Sequence, residues 1–345
     1  MSKRTTWHKF KRNKGALIGL GFIAFVALIA ILGPFIRPDS SPGTNEQHLA
    51  IAKQKPGFTA QVLEVPRENY ESGSFWGKIT NYGWVSEIQE IPLDSLSANG
   101  LIAYPAGGGE SISVSESQVK IKTYLLGTDK YGRDMLSRIM GGAIISLAVG
   151  VIAVLISLLV GLILGTLAGY YRGRVDQVTM WLINVVWSIP TLLLVMAIVF
   201  AFGKGFEKVF IAVGLTMWVE VARVVRGQIL SVREKEYVEA ARALGFSDLR
   251  IMFKHILPNV INPVIVISAA NFSAAILIEA GLSFLGIGAQ IPTPSWGNLI
   301  KEHYAFITTD SAYLALLPGV AIMLLVLSFM LVGNGLRDAL DVKSM

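Results

Sequence analysis

Apolar residues gather in long blocks along this chain instead of alternating through it. Six blocks stand out: Ala16–Ile36, Ala143–Gly169, Val178–Phe202, Val209–Val225, Val260–Leu285 and Ala312–Leu336. About 20 apolar residues in helical geometry cross the hydrocarbon core of a bilayer. The pattern therefore predicts an all-α polytopic membrane protein with six transmembrane helices. The fourth block is the weakest, because Glu220, Arg223 and Arg226 crowd its end. The second and fifth are long enough to tilt. Pro190 and Pro318 lie inside blocks, where a proline removes a backbone donor and bends a helix. Two readings stand for these bends, a packing kink and a wall of a pathway.

Between the first two blocks the pattern changes. Residues 37–141 are polar, with acids and bases nearly balanced. Phe58, Tyr70, Phe75, Trp76, Tyr82 and Trp84 are enough to seed a small core. "SISVSESQVKIKTYLL" (Ser111–Leu126) alternates with period two, the rhythm of a strand. The expectation is an extracytoplasmic insertion of roughly 100 residues, partly β, between helices 1 and 2; the competing reading is an irregular loop. The resulting division is a tail at 1–15, helix 1 at 16–36, the insertion at 37–141, a transmembrane core of helices 2–6 at 142–336, and a tail at 337–345. A long connecting segment, 231–258, lies within the core.

Composition agrees. The 345 residues are 53% hydrophobic and 16% charged, with a mean hydropathy of +0.56. The net charge of +6 is not a nucleic-acid signal, because the basic residues cluster beside the apolar blocks. Lys3, Arg4, Lys9, Lys11, Arg12 and Lys14 precede the first block, and Arg223–Pro258 holds seven more Lys and Arg. Arg172 and Arg174 sit in the turn after the second block, while Lys204–Lys208 and the segment after the fifth carry fewer. The positive-inside rule then places both termini in the cytoplasm. A cleaved signal peptide is the competing reading of the N-terminus, but the apolar run is too long for one. There is no cysteine, which excludes disulfides and thiolate chemistry.

"EAARALGFSDLRIMFKHILPN" (Glu239–Asn259) is a polar, small-residue stretch in the cytoplasmic connection. Glu236–Leu244 reads as a short helix of good formers. Gly245 suits its left-handed end, and Ser247 with Asp248 suits the start of a second helix that runs to Pro258. Ala240, Ala241, Ala243 and Gly245 permit close approach of another surface. Leu249, Met252, Phe253, Ile256 and Leu257 supply an apolar face. One reading is an amphipathic helix on lipid headgroups; the other is a knob for a partner's groove.

The same residues resemble a motif of ABC importer permeases: Glu-Ala-Ala, three residues, Gly, nine residues, Ile-x-Leu-Pro. Glu239, Ala240, Ala241, Gly245, Leu257 and Pro258 fall in register, with His255 in the usual Ile position. "HILPN" (His255–Asn259) is typical of the peptide-importing branch. "LGTDKYGRDMLSRIMGGAIISL" (Leu126–Leu147) resembles a second family signature, on Gly127, Thr128, Asp129, Gly132, Arg133 and Asp134. "IEAGLSFLGIGAQIPTPSWG" (Ile278–Gly297) resembles a third. "WHKFKRNKGALIGL" (Trp7–Leu20) and "GLRDALD" (Gly335–Asp341) also look like the second permease of dipeptide and oligopeptide importers. The resemblance covers residues 7–38 and 125–341. It departs at Trp181 and Asn184, where the family commonly carries Arg and Asp. It implies the type I importer fold, a homologous second permease, two ABC ATPase subunits with the Glu-Ala-Ala helix docked in a cleft on the ATPase, a solute-binding protein, and membrane lipid around the helices. It also implies no cofactor on this chain, with ATP and Mg held by the ATPase partner.

The residues themselves limit the alternatives. No GxxxxGK[ST] loop occurs, so the chain is no ATPase of its own. Glu279 is an ionisable residue near the end of the fifth block and reads as paired or functional. A self-sufficient ion-coupled transporter needs more such groups and commonly a repeat, and none is evident. His8, His48, His255 and His303 are scattered, so no metal site is expected. For the signature before helix 2, the expected role is an ordered approach to the membrane, with Asp129, Arg133 and Asp134 satisfying one another or capping backbone.

Overall fold

The computed structural model describes the chain except residues 1–2, 68–69, 71–82, 98–101, 109, 204, 291 and 341–345; for residues 3–5 and 116 it describes the backbone alone. Phe75, Trp76 and Tyr82, expected to join a small core, lie outside the described residues, as do Lys204 and Asp341. In chain order the main elements are α1 (Lys3–Arg12), α2 (Lys14–Ile36), β1 (Phe58–Pro66), β2 (Ile88–Leu96), β3 (Ile102–Pro105), β4 (Ile112–Ser113) and β5 (Val119–Tyr124). There follow α3 (Met135–Tyr171), α4 (Gly173–Trp187), α5 (Thr191–Phe202), α6 (Phe206–Val232) and α7 (Glu236–Ala243). The last are α8 (Asp248–Phe284), α9 (Trp296–His303) and α10 (Tyr313–Leu340).

The chain divides into two compact units. One comprises Met1–Val26, Ser146–Gly288 and Ile322–Met345. Its helices approach closely where side chains are smallest. Gly161, Gly165 and Gly169 recur every four residues on α3 and face α6. A β-carbon built on Gly165 would lie 2.6 Å from the Ala222 carbonyl oxygen and 2.9 Å from Val225 Cβ. On Gly161 it would lie 2.5 Å from Val221 Cβ. In a bilayer, helices gain little from excluding one another's apolar surface from water, so close backbone contact through small residues is what binds them.

The unit holds three departures from the apolar pattern. The third block is not one helix: α4 and α5 meet at a 95° bend. Pro190 has no N–H to donate and disfavours helix at Ile189, so the chain breaks at Ser188–Pro190 instead of kinking. The fourth block lies within α6, whose Glu207, Lys208, Glu220, Arg223 and Arg226 dilute its apolar character. By length and apolarity four helices are fit to cross a membrane, or five if the bent pair counts as one span, among the described residues. Pro258 does not separate a second connecting helix from the next span. Residues Asp248–Arg250 run through a π-helical stretch, Ile251–Ile256, directly into Leu257–Phe284.

The other unit comprises Ala27–Ile145 and Ala289–Ala321. Its centre is a five-stranded antiparallel sheet of order β4-β3-β2-β1-β5. Side chains alternate across a strand, and β1 uses both faces. Ala60 and Val62 pack with Ile51 and Tyr124; Leu63, on the opposite face, packs with Leu93, Ala103 and Val114. The sheet ends at Tyr124, and α3 begins at Met135, six residues before the expected end of the insertion. Asp134 accounts for that start. Its Oδ1 accepts the Ser137 N–H at 2.6 Å, satisfying a donor that the first turn of a helix leaves without an internal partner.

Candidate functional site

Two sets of side chains carry the sequence motifs, one in each unit. The first surrounds α7. Glu236 and Glu239 lie in its first turn, where acids favour the helix dipole. Its far end closes with the Gly245 N–H on Arg242 O at 2.9 Å and the Phe246 N–H on Ala241 O at 3.2 Å. This paired closure requires a left-handed residue, and Gly245 supplies it with φ +73°. Ser247 stands at the start of α8, but its side chain makes no capping bond.

Burial sorts the residues of α7 cleanly. Val238 and Ala241 are buried, sharing one apolar cluster with Tyr170 of α3, Val221, Val225 and Ile229 of α6, and Ile251, Met252 and Ile256 of α8. Glu239, Ala240, Ala243, Leu244 and Gly245 are exposed. The expected apolar face of the following segment is therefore divided. Met252 and Ile256 are buried and Leu257 is half-buried, while Leu249 and Phe253 are exposed. Pro258 is exposed one residue beyond.

Polar contacts hold this layer to the spans. Tyr170 Oη donates to Asp248 Oδ1 at 2.6 Å, and Arg233 donates to the Tyr170 carbonyl. The Arg242 guanidinium lies 5.4 Å from the Tyr170 ring centre. His255 stacks on Phe246 with ring centres 5.6 Å apart, and Arg250 covers Phe246 at 4.0 Å. Asn259 Nδ2 donates to His255 O at 2.7 Å and to Tyr237 Oη at 3.2 Å. On the adjoining turn, Arg226 binds Asp176 with two bonds, Nη2 to Oδ2 at 2.7 Å and Nε to Oδ1.

The second set gathers around the signature before α3. Asp129 Oδ1 accepts the N–H groups of Tyr131 at 2.8 Å and Arg133 at 3.0 Å. Its Oδ2 accepts Arg133 Nε at 2.6 Å. Arg133 also donates to Asn45 Oδ1 at 3.0 Å and to Glu302 Oε2 at 2.6 Å. Arg138 Nη2 lies 3.4 Å from Glu302 Oε1. Gly127 and Gly132 have φ +75° and +73°. A β-carbon on Gly132 would overlap the His48 carbonyl, so the turn needs both the conformation and the space. The Thr128 N–H donates to Gln54 O at 3.0 Å.

Two arginines balance two carboxylates here, all nearly out of reach of solvent. His303 Nδ1–H donates to Leu299 O at 2.8 Å, which leaves Nε2 facing Asp129 Oδ2 at 4.0 Å. Burial pushes the His303 imidazole below its ordinary value; burial also raises the Asp134 carboxyl. Asp129, Glu302 and His303 offer ligand atoms within 4.8 Å of one another, a grouping not expected from the scattered histidines. Arg133 and Arg138 already occupy those carboxylates, so the cluster suits a salt-bridged lock better than a cation. Sequence reasoning missed Glu302 and His303. The available signal was the two arginines of "GRDMLSR", which outnumber the acid left over once Asp134 caps α3. Trp296, from the third motif, joins the same unit through Nε1 on Ile139 O at 2.9 Å. Glu279 is buried on α8 and accepts Ser283 Oγ at 2.6 Å. Pro190 sits at the helix break, and Trp181 and Asn184 are exposed on α4.

Residues 161–343 match the model of the binding-protein-dependent transport system inner membrane component, and residues 3–56 match the N-terminal TM domain of oligopeptide transport permease C. The dipeptide transport system permease protein DppC of Haemophilus influenzae is 35% identical over 98% of this chain and 93% of its own length. DppC of Alkalihalophilus pseudofirmus is 42% identical over 84% of this chain and 97% of its own. The glutathione transport system permease protein GsiD of Pectobacterium atrosepticum is 42% identical over 63% and 72%. Among solved structures, an inward-facing MetNI methionine ABC transporter matches with a TM-score of 0.49 at 18% identity, over 60% of this chain and 98% of that one. The two family models together span most of the described helices, and the chain belongs to the binding-protein-dependent transport system inner membrane components, as a non-catalytic permease subunit of an ABC importer.

Proposed function

We propose that this chain forms half of the pathway of a peptide importer and takes up the work of ATP through α7. The single observation that carries the reading is the division of α7: Val238 and Ala241 anchor it to the ends of α3, α6 and α8, while Glu239, Ala240, Ala243 and Leu244 face outward. A partner pressing on the outward face moves three spanning helices as one packed body. The relatives named for dipeptides and glutathione support a peptide-like solute. Six spans, counting α6 and the bent α4–α5 pair, place both basic termini and α7 in the cytoplasm. Residues 37–134 then lie outside, where a solute-binding protein arrives. A homologous permease completes the pathway. Two ABC ATPase subunits bind ATP and Mg, one of them docks on α7, and this chain binds no cofactor.

Gly245→Trp in the assembled importer tests the coupling. No packed neighbour lies within 4 Å of a β-carbon built there, but φ +73° strains any side chain, so Gly245→Ala measures the strain and the further loss in Gly245→Trp reports the docked subunit. Uptake of dialanine should fall at least tenfold while the complex still reaches the membrane. Wild-type uptake by Gly245→Trp would refute the coupling role.

A further inference from the structure

Glu220 lies near the middle of α6, about 21 Å from Phe206 and about 18 Å from Val232 at 1.5 Å per residue. It is exposed and makes no hydrogen bond or ion pair among the described residues. Arg223, Gly227 and Ser231 continue its face at helical spacing and are exposed too. The opposite face, with Val221, Val225 and Ile229, is buried. Glu220 stands five residues inside the end of the apolar block Val209–Val225, and an ionisable group within a spanning helix is too costly to leave against lipid, so such a face meets water or protein.

Glu220 also lines a cavity of about 350 Å³, together with Trp187 and Thr191 on either side of the helix break, Thr216 and Met217 of α6, and Leu277 of α8. That volume falls within the about 300–1,000 Å³ of small-molecule sites. The Arg223 guanidinium rests 4.1 Å from the centre of the Trp187 ring, held by the ring's negative face. Glu220 lines the cavity and Arg223 lies over Trp187, which also lines it, so a carboxylate and a guanidinium border one space and offer opposite charges to the two ends of a small zwitterion. We infer that this cavity is a transit subsite for a zwitterionic solute of dipeptide size. Glu220 receives the ammonium group, Arg223 receives the carboxylate, and Trp187 with the two threonines contacts the backbone between them. This rests on the reading of the chain as part of a peptide pathway.

The absence of cysteine permits a direct test. Thr191→Cys is introduced into the assembled importer, and its labelling by a cationic and an anionic methanethiosulfonate is followed on this chain, with and without ATP. The cationic reagent should react at least tenfold faster, Glu220→Gln should abolish that preference, and dialanine presented by the binding protein should slow the reaction. No reaction in either nucleotide state, equal rates for the two reagents, or a preference that survives Glu220→Gln would overturn the inference. So would loss of the second permease from the Glu220→Gln complex, which would make Glu220 an interface residue. Dialanine uptake separates the two readings. A wild-type complex that takes up no dialanine removes the peptide pathway. Wild-type uptake that Glu220→Gln leaves unchanged removes the subsite alone.

Discussion

Replacing Gly165 by alanine should destabilise this protein, although alanine is the better helix former. In an unconstrained helix the exchange favours folding by about 1 kcal/mol. Here the new β-carbon would stand 2.6 Å from the Ala222 carbonyl oxygen, 3.0 Å from Ala222 Cα and 2.9 Å from Val225 Cβ. Two of those atoms are backbone and cannot swing aside. The helices must separate by several tenths of an ångström, and Gly161 and Gly169 lose their close contacts with them. Overpacking of this kind costs about 1–3 kcal/mol, which exceeds the propensity gain over most of its range and leaves a net loss of about 1 kcal/mol. Gly21 on α2 supplies the control, because nothing lies within 4 Å of its β-carbon. Gly21→Ala should be neutral or stabilising. Both variants are compared with wild type in the purified importer by thermal unfolding and by titration with a denaturing detergent. A Gly165→Ala protein as stable as Gly21→Ala would refute close helix contact at this face.

Glu302→Ala should cost about 3–5 kcal/mol, the usual penalty for removing one partner of a buried charge pair, because Arg133 and Arg138 both bind that carboxylate; chemical denaturation gives the value, and a cycle with Arg133→Ala should show strong coupling. Tyr170→Phe removes the bond to Asp248; uptake per ATP hydrolysed should drop while the fold survives, and an unchanged ratio would detach that bond from coupling. His303 gives stability a pH dependence. Its folded value is depressed by burial below the ordinary 6.5, so its contribution is complete above about pH 6.5 and declines as pH falls toward and through the folded value. Unfolding followed from pH 7.5 down to 5 should show the decline, and His303→Gln should flatten it.

What lay open in the sequence were the features set by local chemistry. Apolar blocks foretold the helices long and apolar enough to cross a membrane, four of them or five with the bent pair among the described residues, because a bilayer-crossing helix tolerates few charges. The end of α7 was equally legible: only a residue free of Cβ strain takes a φ of +73° without penalty, and Gly245 stands where the helix formers stop. Three motifs in order were enough to name the family.

Other features depended on partners distant in sequence. Nothing near Arg133 announced Glu302, which is 169 residues away; a buried guanidinium selects a carboxylate by proximity in space. Apolarity alone did not reveal that the third block breaks by 95° at Ser188–Pro190, since a proline kinks or breaks a helix according to what surrounds it. Nor did it show that α8 runs through Pro258 without interruption: a proline inside a helix removes one backbone donor, and here the ladder has already shifted to π-helical bonding over Ile251–Ile256 immediately before it. The division of α7 into a buried and an exposed face likewise belongs to the tertiary structure. Ala240 and Ala241 are the same residue one position apart, and only the packing of α3, α6 and α8 beneath them decides which is covered.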